Sequence, residues 1–215
     1  MRILLVPGHG RDSLGRWRRP LMTIDNGVVK QIGGDLSVDG ISYREDIGTL
    51  KIAKQVGQIL SEKHEVFFSR VDEYCAGVYL PQILGGAKWQ RLTWSDYKWI
   101  TRYAAHVKAD ALVSIHTNAS SEGAASGIVG FYASPCGLDI AEDVCLGIEL
   151  ASHHRLSLRQ IRRKRFAVFG NIPSACLIEC CYHDNFSDLS YLLSPRGIPE
   201  ISAGIAAGLD RFLTK

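Results

Sequence analysis

The chain has 215 residues, enough for one domain with a sizeable core and tight for two. Apolar residues are 46% and charged residues 22%, which excludes a disordered chain or a fibrous repeat. A net charge of +3 is too mild to announce a nucleic-acid binder, and no apolar run approaches the roughly 20 residues that cross a bilayer.

Ile3 to Val6 is a continuous apolar run closed by Pro7-Gly8, as expected of a buried first strand. It follows Met1-Arg2 with no apolar stretch of signal-peptide length, so synthesis in the cytoplasm is expected. A polar stretch rich in Gly and Arg runs from Gly10 to about Ser42. From Asp46 to Lys63 the apolar positions Ile47, Leu50, Ala53, Val56, Ile59 and Leu60 recur at steps of three or four, which predicts an amphipathic helix with Glu45 at its mouth. Glu65 to Ser69 reads as a second strand.

Tyr74 to Lys98 differs in character, with Pro81, Gly85-Gly86, Trp89 and Trp94 among polar residues, and is expected to be a long surface excursion of the functional kind. A helical stretch then ends near Lys108, and Ala111 to Ile115 reads as a third strand. Ser126 to Ala133 is strand-like and leads into a helix from Leu138 to His153. Ala175 to Glu179 is another short strand, and Ile198 to Leu213 closes the chain as an amphipathic helix. Strands alternating with helices predict a single α/β domain, residues 1–215, with a mostly parallel twisted sheet and helices on both faces.

Four polar residues stand where strands stop or helices begin: His9, Glu45, His116 and Glu179. In an open α/β sheet the C-terminal strand ends share one rim where ligands bind, so these four could converge there. Two histidines and a carboxylate are a standard ligand set for catalytic zinc, and a second carboxylate could move the proton of an attacking water. Each residue also has a plainer reading: a turn histidine at His9, a hydrogen-bonded one at His116, and a helix-entry carboxylate at Glu45. Glu179, flanked by Ala175 to Ile178 and Cys180-Cys181, is the hardest to leave without a role, because an apolar setting is costly for a carboxylate that is neither paired nor used.

The motifs resemble the amidase 3 class of zinc-dependent N-acetylmuramoyl-L-alanine amidases. The opening strand with P-G-H-G matches Ile3 to Gly10, and the helix-leading glutamate matches Glu45. The block A-D-x-x-V-S-I-H-x-N-A matches Ala109 to Ala119, and E-x-G-F-x-x-N is matched in part by Glu179 to Asn185. The resemblance implies one Zn2+ ion held by His9, Glu45 and His116, Glu179 as the catalytic carboxylate, and Asn118 and Asn185 as polar groups lining the substrate site. It implies peptidoglycan as the partner and cleavage of the bond between N-acetylmuramic acid and L-alanine, with an outline like a phage or prophage endolysin. This sequence departs from the pattern at Val6, where aspartate is usual, at Cys181 and Tyr182, where glycine and phenylalanine are usual, and at Glu73. Another zinc peptidase or amidohydrolase of related fold, or a non-catalytic wall-binding module, are the alternatives.

The remaining features have plainer expectations. The run Arg155, Arg159, Arg162, Arg163, Lys164 and Arg165 reads as a solvated loop or helix face, or else as a surface attracting carboxylates of the stem peptide or anionic wall polymers, with Arg16, Arg18 and Arg19 adding to it. The six cysteines lack CxxC spacing and are expected to be buried free thiols, and His153, His154 and His183 to be helix-end and loop residues.

Overall fold

The structure, a computed structural model, describes residues 1–10, 21–25, 28–32, 42–84, 94–120 and 123–215. Its centre is a six-stranded sheet built from β1 (Arg2–Pro7), β5 (Glu65–Phe68), β6 (Ala111–Asn118), β7 (Ile128–Tyr132), β8 (Leu158–Arg163) and β9 (Ala175–Tyr182), in the order β5-β1-β6-β9-β7-β8. Only the β7–β9 pairing is antiparallel; the other four are parallel. The inner strands are unbroken apolar runs because helices cover both faces, so neither side of Ile3, Leu4 and Leu5 meets water.

One face carries α1 (Glu45–Leu60), α4 (Pro135–Ala151), α5 (Phe186–Leu193) and α6 (Gly197–Leu213), whose buried Ile52, Val56, Ile140, Val144, Leu189, Ile201 and Ile205 join a single core cluster. The opposite face carries α2 (Ala76–Ile83), α3 (Trp94–His106) and a 3-10 turn at Ala167–Phe169, which bury Leu80, Trp99, Ile100, Val168 and Phe169 against Leu4, Leu112 and Leu177. This is the expected α/β domain with helices on both faces.

The element boundaries move by a few residues, and three expectations change. The Gly10 to Ser42 stretch contains β2 (Leu21–Asp25), β3 (Val28–Ile32) and β4 (Ser42–Tyr43), a small antiparallel sheet in the order β3-β2-β4. Asn26-Gly27 between two β-branched runs is the hairpin signal that its polar composition masked. Tyr74 to Lys98 is not wholly a surface excursion, since it holds all of α2 and the start of α3, and Leu80 is fully buried. Gly85, Gly86 and Trp89 lie outside the described residues, as do Arg16, Arg18 and Arg19. The basic run contains a strand: Leu158–Arg163 pairs with β7 at the end of the sheet. Its arginines suit such an edge, where charge discourages pairing with another chain.

All six cysteines are free, and all but Cys136 are buried. No described helix is long and apolar enough to cross a membrane.

Candidate active site

Parallel strands β1, β6 and β9 end side by side, and the chain places one polar group at each end. After β1, Gly8 donates its N–H to the carbonyl of Ile115 at 2.8 Å, which ties the turn to β6. A Cβ at Gly8 would sit 2.5 Å from Nδ1 and Cε1 of His116, so only glycine lets that ring lie against the turn. His9 follows in the left-handed region with φ of 59°, a conformation seldom adopted outside Gly, Asn and Asp.

A buried cation holds this turn. Arg70, fully inaccessible, donates to the carbonyls of Pro7 at 3.2 Å, Gly8 at 2.8 Å and Asp46 at 2.7 Å, and so fastens the end of β1 to the start of α1. Thr49 adds its hydroxyl to the Gly8 carbonyl at 3.1 Å. Burial lowers the Arg70 pKa to about 10, opposed by the charges of Asp46 and Asp72, and the side chain stays cationic at neutral pH.

Glu45 opens α1 and is buried. Its Oε2 lies 3.2 Å from Nε2 of His9 and its Oε1 lies 3.3 Å from Nδ1 of His116. Burial alone would raise its pKa, but hydrogen bonds and charge from His116 and His9 outweigh it and hold the carboxyl well below the usual range. The two rings meet edge to face with centroids 5.1 Å apart. One donor atom from each of His9, Glu45 and His116 lies within 4.8 Å of the other two, the one such group of possible metal ligands among the described residues. The second ring nitrogen of His116, Nε2, lies 3.1 Å from Ser114 Oγ, a hydroxyl that fixes the ring's orientation although Val6 stands where the related pattern has aspartate.

Glu179 sits on β9 as the register partner of His116, next to the cluster and half-buried. With the three converging residues it lines a cavity of about 350 Å³, shared with Tyr97, Asn118, Phe166 and Leu177. Asn118 is therefore at the site, its Oδ1 accepting from the N–H of Ala119 at 2.9 Å. Asn185 is not among the lining residues. It caps α5, accepting from the N–H groups of Ser187 at 3.0 Å and Asp188 at 3.2 Å, and donates to the carbonyl of Gly123 at 3.0 Å.

Sequence reasoning read His183 only as a helix-end or loop residue and passed over Arg70. His183 is buried and lines the cavity; its Nδ1 is 2.9 Å from Thr117 Oγ1, which is 3.1 Å from the buried Tyr43 hydroxyl. Its place four residues after Glu179 was the only available signal. Arg70 left none, because nothing local to it shows that the carbonyls of Pro7, Gly8, Asp46 and Asp72 will converge on its guanidinium.

Fold and site together describe an α/β domain with a group of possible metal ligands and a neighbouring carboxylate at the strand ends. The chain belongs to the N-acetylmuramoyl-L-alanine amidase family, Amidase_3, whose profile matches residues 3–211. Its enzyme class is accordingly that of a peptidoglycan amidase. Among solved structures, the catalytic domain of CwlV, an N-acetylmuramoyl-L-alanine amidase from Bacillus (Paenibacillus) polymyxa var. colistinus, is similar with a TM-score of 0.71 at 22% identity, covering 100% of this chain and 98% of that one. AmiC2 of Nostoc punctiforme, with the same amidase description, gives 0.69 at 22% identity over 100% and 98%. The catalytic domain of the CD27L endolysin targeting Clostridia difficile gives 0.67 at 20% identity over 98% and 97%. These likenesses show the fold. No curated protein matches the chain.

Proposed function

We propose that the chain hydrolyses the amide between N-acetylmuramic acid and the L-alanine of the stem peptide, using one zinc ion held by His9, Glu45 and His116. The observation that carries this reading is the convergence of those three donors beside Glu179. Ligands of a tetrahedral zinc ion at about 2.1 Å stand roughly 3.4 Å from one another. With one donor atom from each residue, the three lie within 4.8 Å of one another, and the Glu45 carboxylate meets each ring through a different oxygen, at 3.2 and 3.3 Å; nitrogen and carboxylate donors suit the ion.

When bound, zinc polarises a carbonyl and makes hydroxide available near neutral pH. The protein's own groups supply the rest. Glu179 accepts the proton of the attacking water and delivers it to the departing alanine nitrogen, so one carboxylate serves both halves of the reaction. The buried Arg70 and Thr49 hold the His9 turn, and Ser114 holds the His116 ring. Asn118, on the cavity wall, is placed to engage the substrate's polar groups.

The experiment is metal analysis of the purified protein together with mass spectrometry of digested peptidoglycan. Peptides with a free L-alanine amino end and intact glycan are expected, and chelation should abolish their release. Release of the stem peptide's C-terminal residue would identify a carboxypeptidase instead. The likeness to an endolysin domain extends the reading to lysis by a phage or prophage. Lysis of a host expressing the protein only when its membrane is permeabilised is the outcome that role requires.

A further inference from the structure

The cavity at the strand ends includes a side chain that the zinc reading leaves unused. His183 lines it together with His9, Glu45, His116 and Glu179, and is buried. Its position follows from a slip in the sheet. Between the register pairs His116–Glu179 and Asn118–Tyr182, two steps of β6 stand against three of β9. Such a bulge re-aims the side chains beyond it. The His183 N–H then donates to the Asn118 carbonyl at 2.9 Å, so its backbone stands two β6 steps past His116, roughly 7 Å toward the rim.

The ring is held by side chains from β6 and β4. Its Nδ1 lies 2.9 Å from Thr117 Oγ1, which lies 3.1 Å from the hydroxyl of the buried Tyr43. The Thr117 N–H donates to Glu45 Oε1 at 3.3 Å, which ties these contacts to the possible metal ligands. Neither hydroxyl has another hydrogen-bond partner among the described residues. A buried hydroxyl whose hydrogen goes unused is costly. Two hydroxyl hydrogens thus serve two contacts, and one direction alone uses both: Tyr43 donates to Thr117, and Thr117 donates to His183. Nδ1 is then the acceptor, the ring is neutral, and its hydrogen is on Nε2, directed away from Thr117.

Thr117 and His183 occupy positions that the family motifs S-I-H-x-N-A and E-x-G-F-x-x-N leave open, so neither is part of the shared motif chemistry. A neutral N–H donor at the rim complements an uncharged acceptor, and the acceptors nearest a scissile amide are the carbonyls of the amides beside it.

We propose that His183 is a substrate-binding residue whose Nε2–H donates to an amide carbonyl neighbouring the scissile bond, with Thr117 and Tyr43 as positioning residues that fix its tautomer. This rests on the amidase reading above and adds to it a donor outside the zinc and proton-transfer set. The muramoyl acetamido group and the L-alanine carbonyl both offer such an acceptor, one on each arm of the substrate.

The test uses the zinc-loaded protein and three substrates: N-acetylmuramoyl-L-alanine amide, its analogue with a free 2-amino group, and N-acetylmuramoyl ethylamide, which lacks the alanine carbonyl. His183→Leu should raise KM for the full substrate about tenfold, with a smaller effect on kcat. The analogue lacking the accepting carbonyl should be the one whose KM does not respond to His183→Leu, which names the arm. His183→Gln, whose amide N–H sits near the place of Nε2–H, should recover most of the loss. Nitrogen-15 NMR should show the hydrogen on Nε2 in the wild type and mixed tautomers in Thr117→Val, whose KM should rise about threefold. Adding N-acetylmuramoyl-L-alanine should shift the Nε2–H signal. An unchanged full-substrate KM in zinc-bound His183→Leu, an equal KM rise for all three substrates, or hydrogen on Nδ1 in the wild type would overturn the assignment. A wild type that cleaves none of the substrates yet shows the shift would sink the amidase reading and leave His183 standing as a ligand donor.

Discussion

His9 stands in a backbone conformation that costs an L-residue about 1–2 kcal/mol, and its surroundings hold it there through the Arg70 and Thr49 contacts to the preceding carbonyls. The turn brings the His9 ring against Glu45, and the proposed zinc site separates the histidines from Glu179 by their expected effects. His9→Ala and His116→Ala are expected to lose zinc and activity together, whereas Glu179→Gln should keep zinc and lose about 10²- to 10⁴-fold in turnover. Metal analysis beside kinetics checks this; near-normal turnover in Glu179→Gln would remove the carboxylate from the mechanism. Gly8→Ala drives a methyl group into the His116 ring, 2.5 Å from the ideal Cβ. It should weaken zinc binding about 10- to 100-fold without removing any ligand, as read by competition with a chromogenic chelator.

Among the elements, α4 and α6 cross closely because glycines face each other. A Cβ at Gly204 would lie 2.5 Å from the Ile148 Cα, and Gly147 and Gly208 are equally closed by backbone of the partner helix. Backbone cannot rotate aside, so Gly204→Ala should destabilise by about 1–3 kcal/mol, measured as a lower urea midpoint. The folded fraction should keep its activity, since neither helix lines the cavity that holds His9, Glu45, His116 and Glu179. Helix α5 is a different case. Asn185 resembles a site residue in the sequence but caps the helix, so Asn185→Ala should cost about 1 kcal/mol and leave KM unchanged. A raised KM at unchanged stability would return Asn185 to the substrate site.

Across the whole molecule, burial controls the cysteines. Burial pushes the Cys145 thiol up to about 12, and Cys176, Cys180 and Cys181 are likewise raised by burial. In the native state only Cys136 should react quickly with a thiol reagent at pH 8, against six thiols in denaturant. The pH dependence follows in sign. These thiols stay protonated in the folded protein while they ionise above about pH 8.5 in the unfolded chain, so the folded state binds more protons and loses stability as pH rises. Each contributes a slope of up to about 1.4 kcal/mol per pH unit above that point, and Cys176→Ala should flatten the alkaline fall by about that amount. Urea midpoints under reductant from pH 8 to 9.5 measure it; an unchanged slope would show that this thiol does not couple to folding.

What was legible in the sequence was what short-range chemistry dictates. Continuous apolar runs mark strands covered on both faces, three- and four-residue spacing marks α1 and α6, and a carboxylate at Glu179 within an apolar strand marks a position that needs a use. Five strands of the main sheet, the polar residues His9, His116 and Glu179 at strand ends and Glu45 at a helix start could be read in this way, helped by motifs that span most of the chain. Where the local pattern was ambiguous, the reading failed: β2 and β3 lay in polar sequence, α2 in a Gly- and Trp-rich stretch, and β8 in a basic run, and each owes its form to the surface it packs on or pairs with. Only the tertiary structure could bring His9, Glu45 and His116 together and bury Arg70 beneath the turn, because distances between residues far apart in the chain depend on strand order and helix packing, which no local spacing encodes.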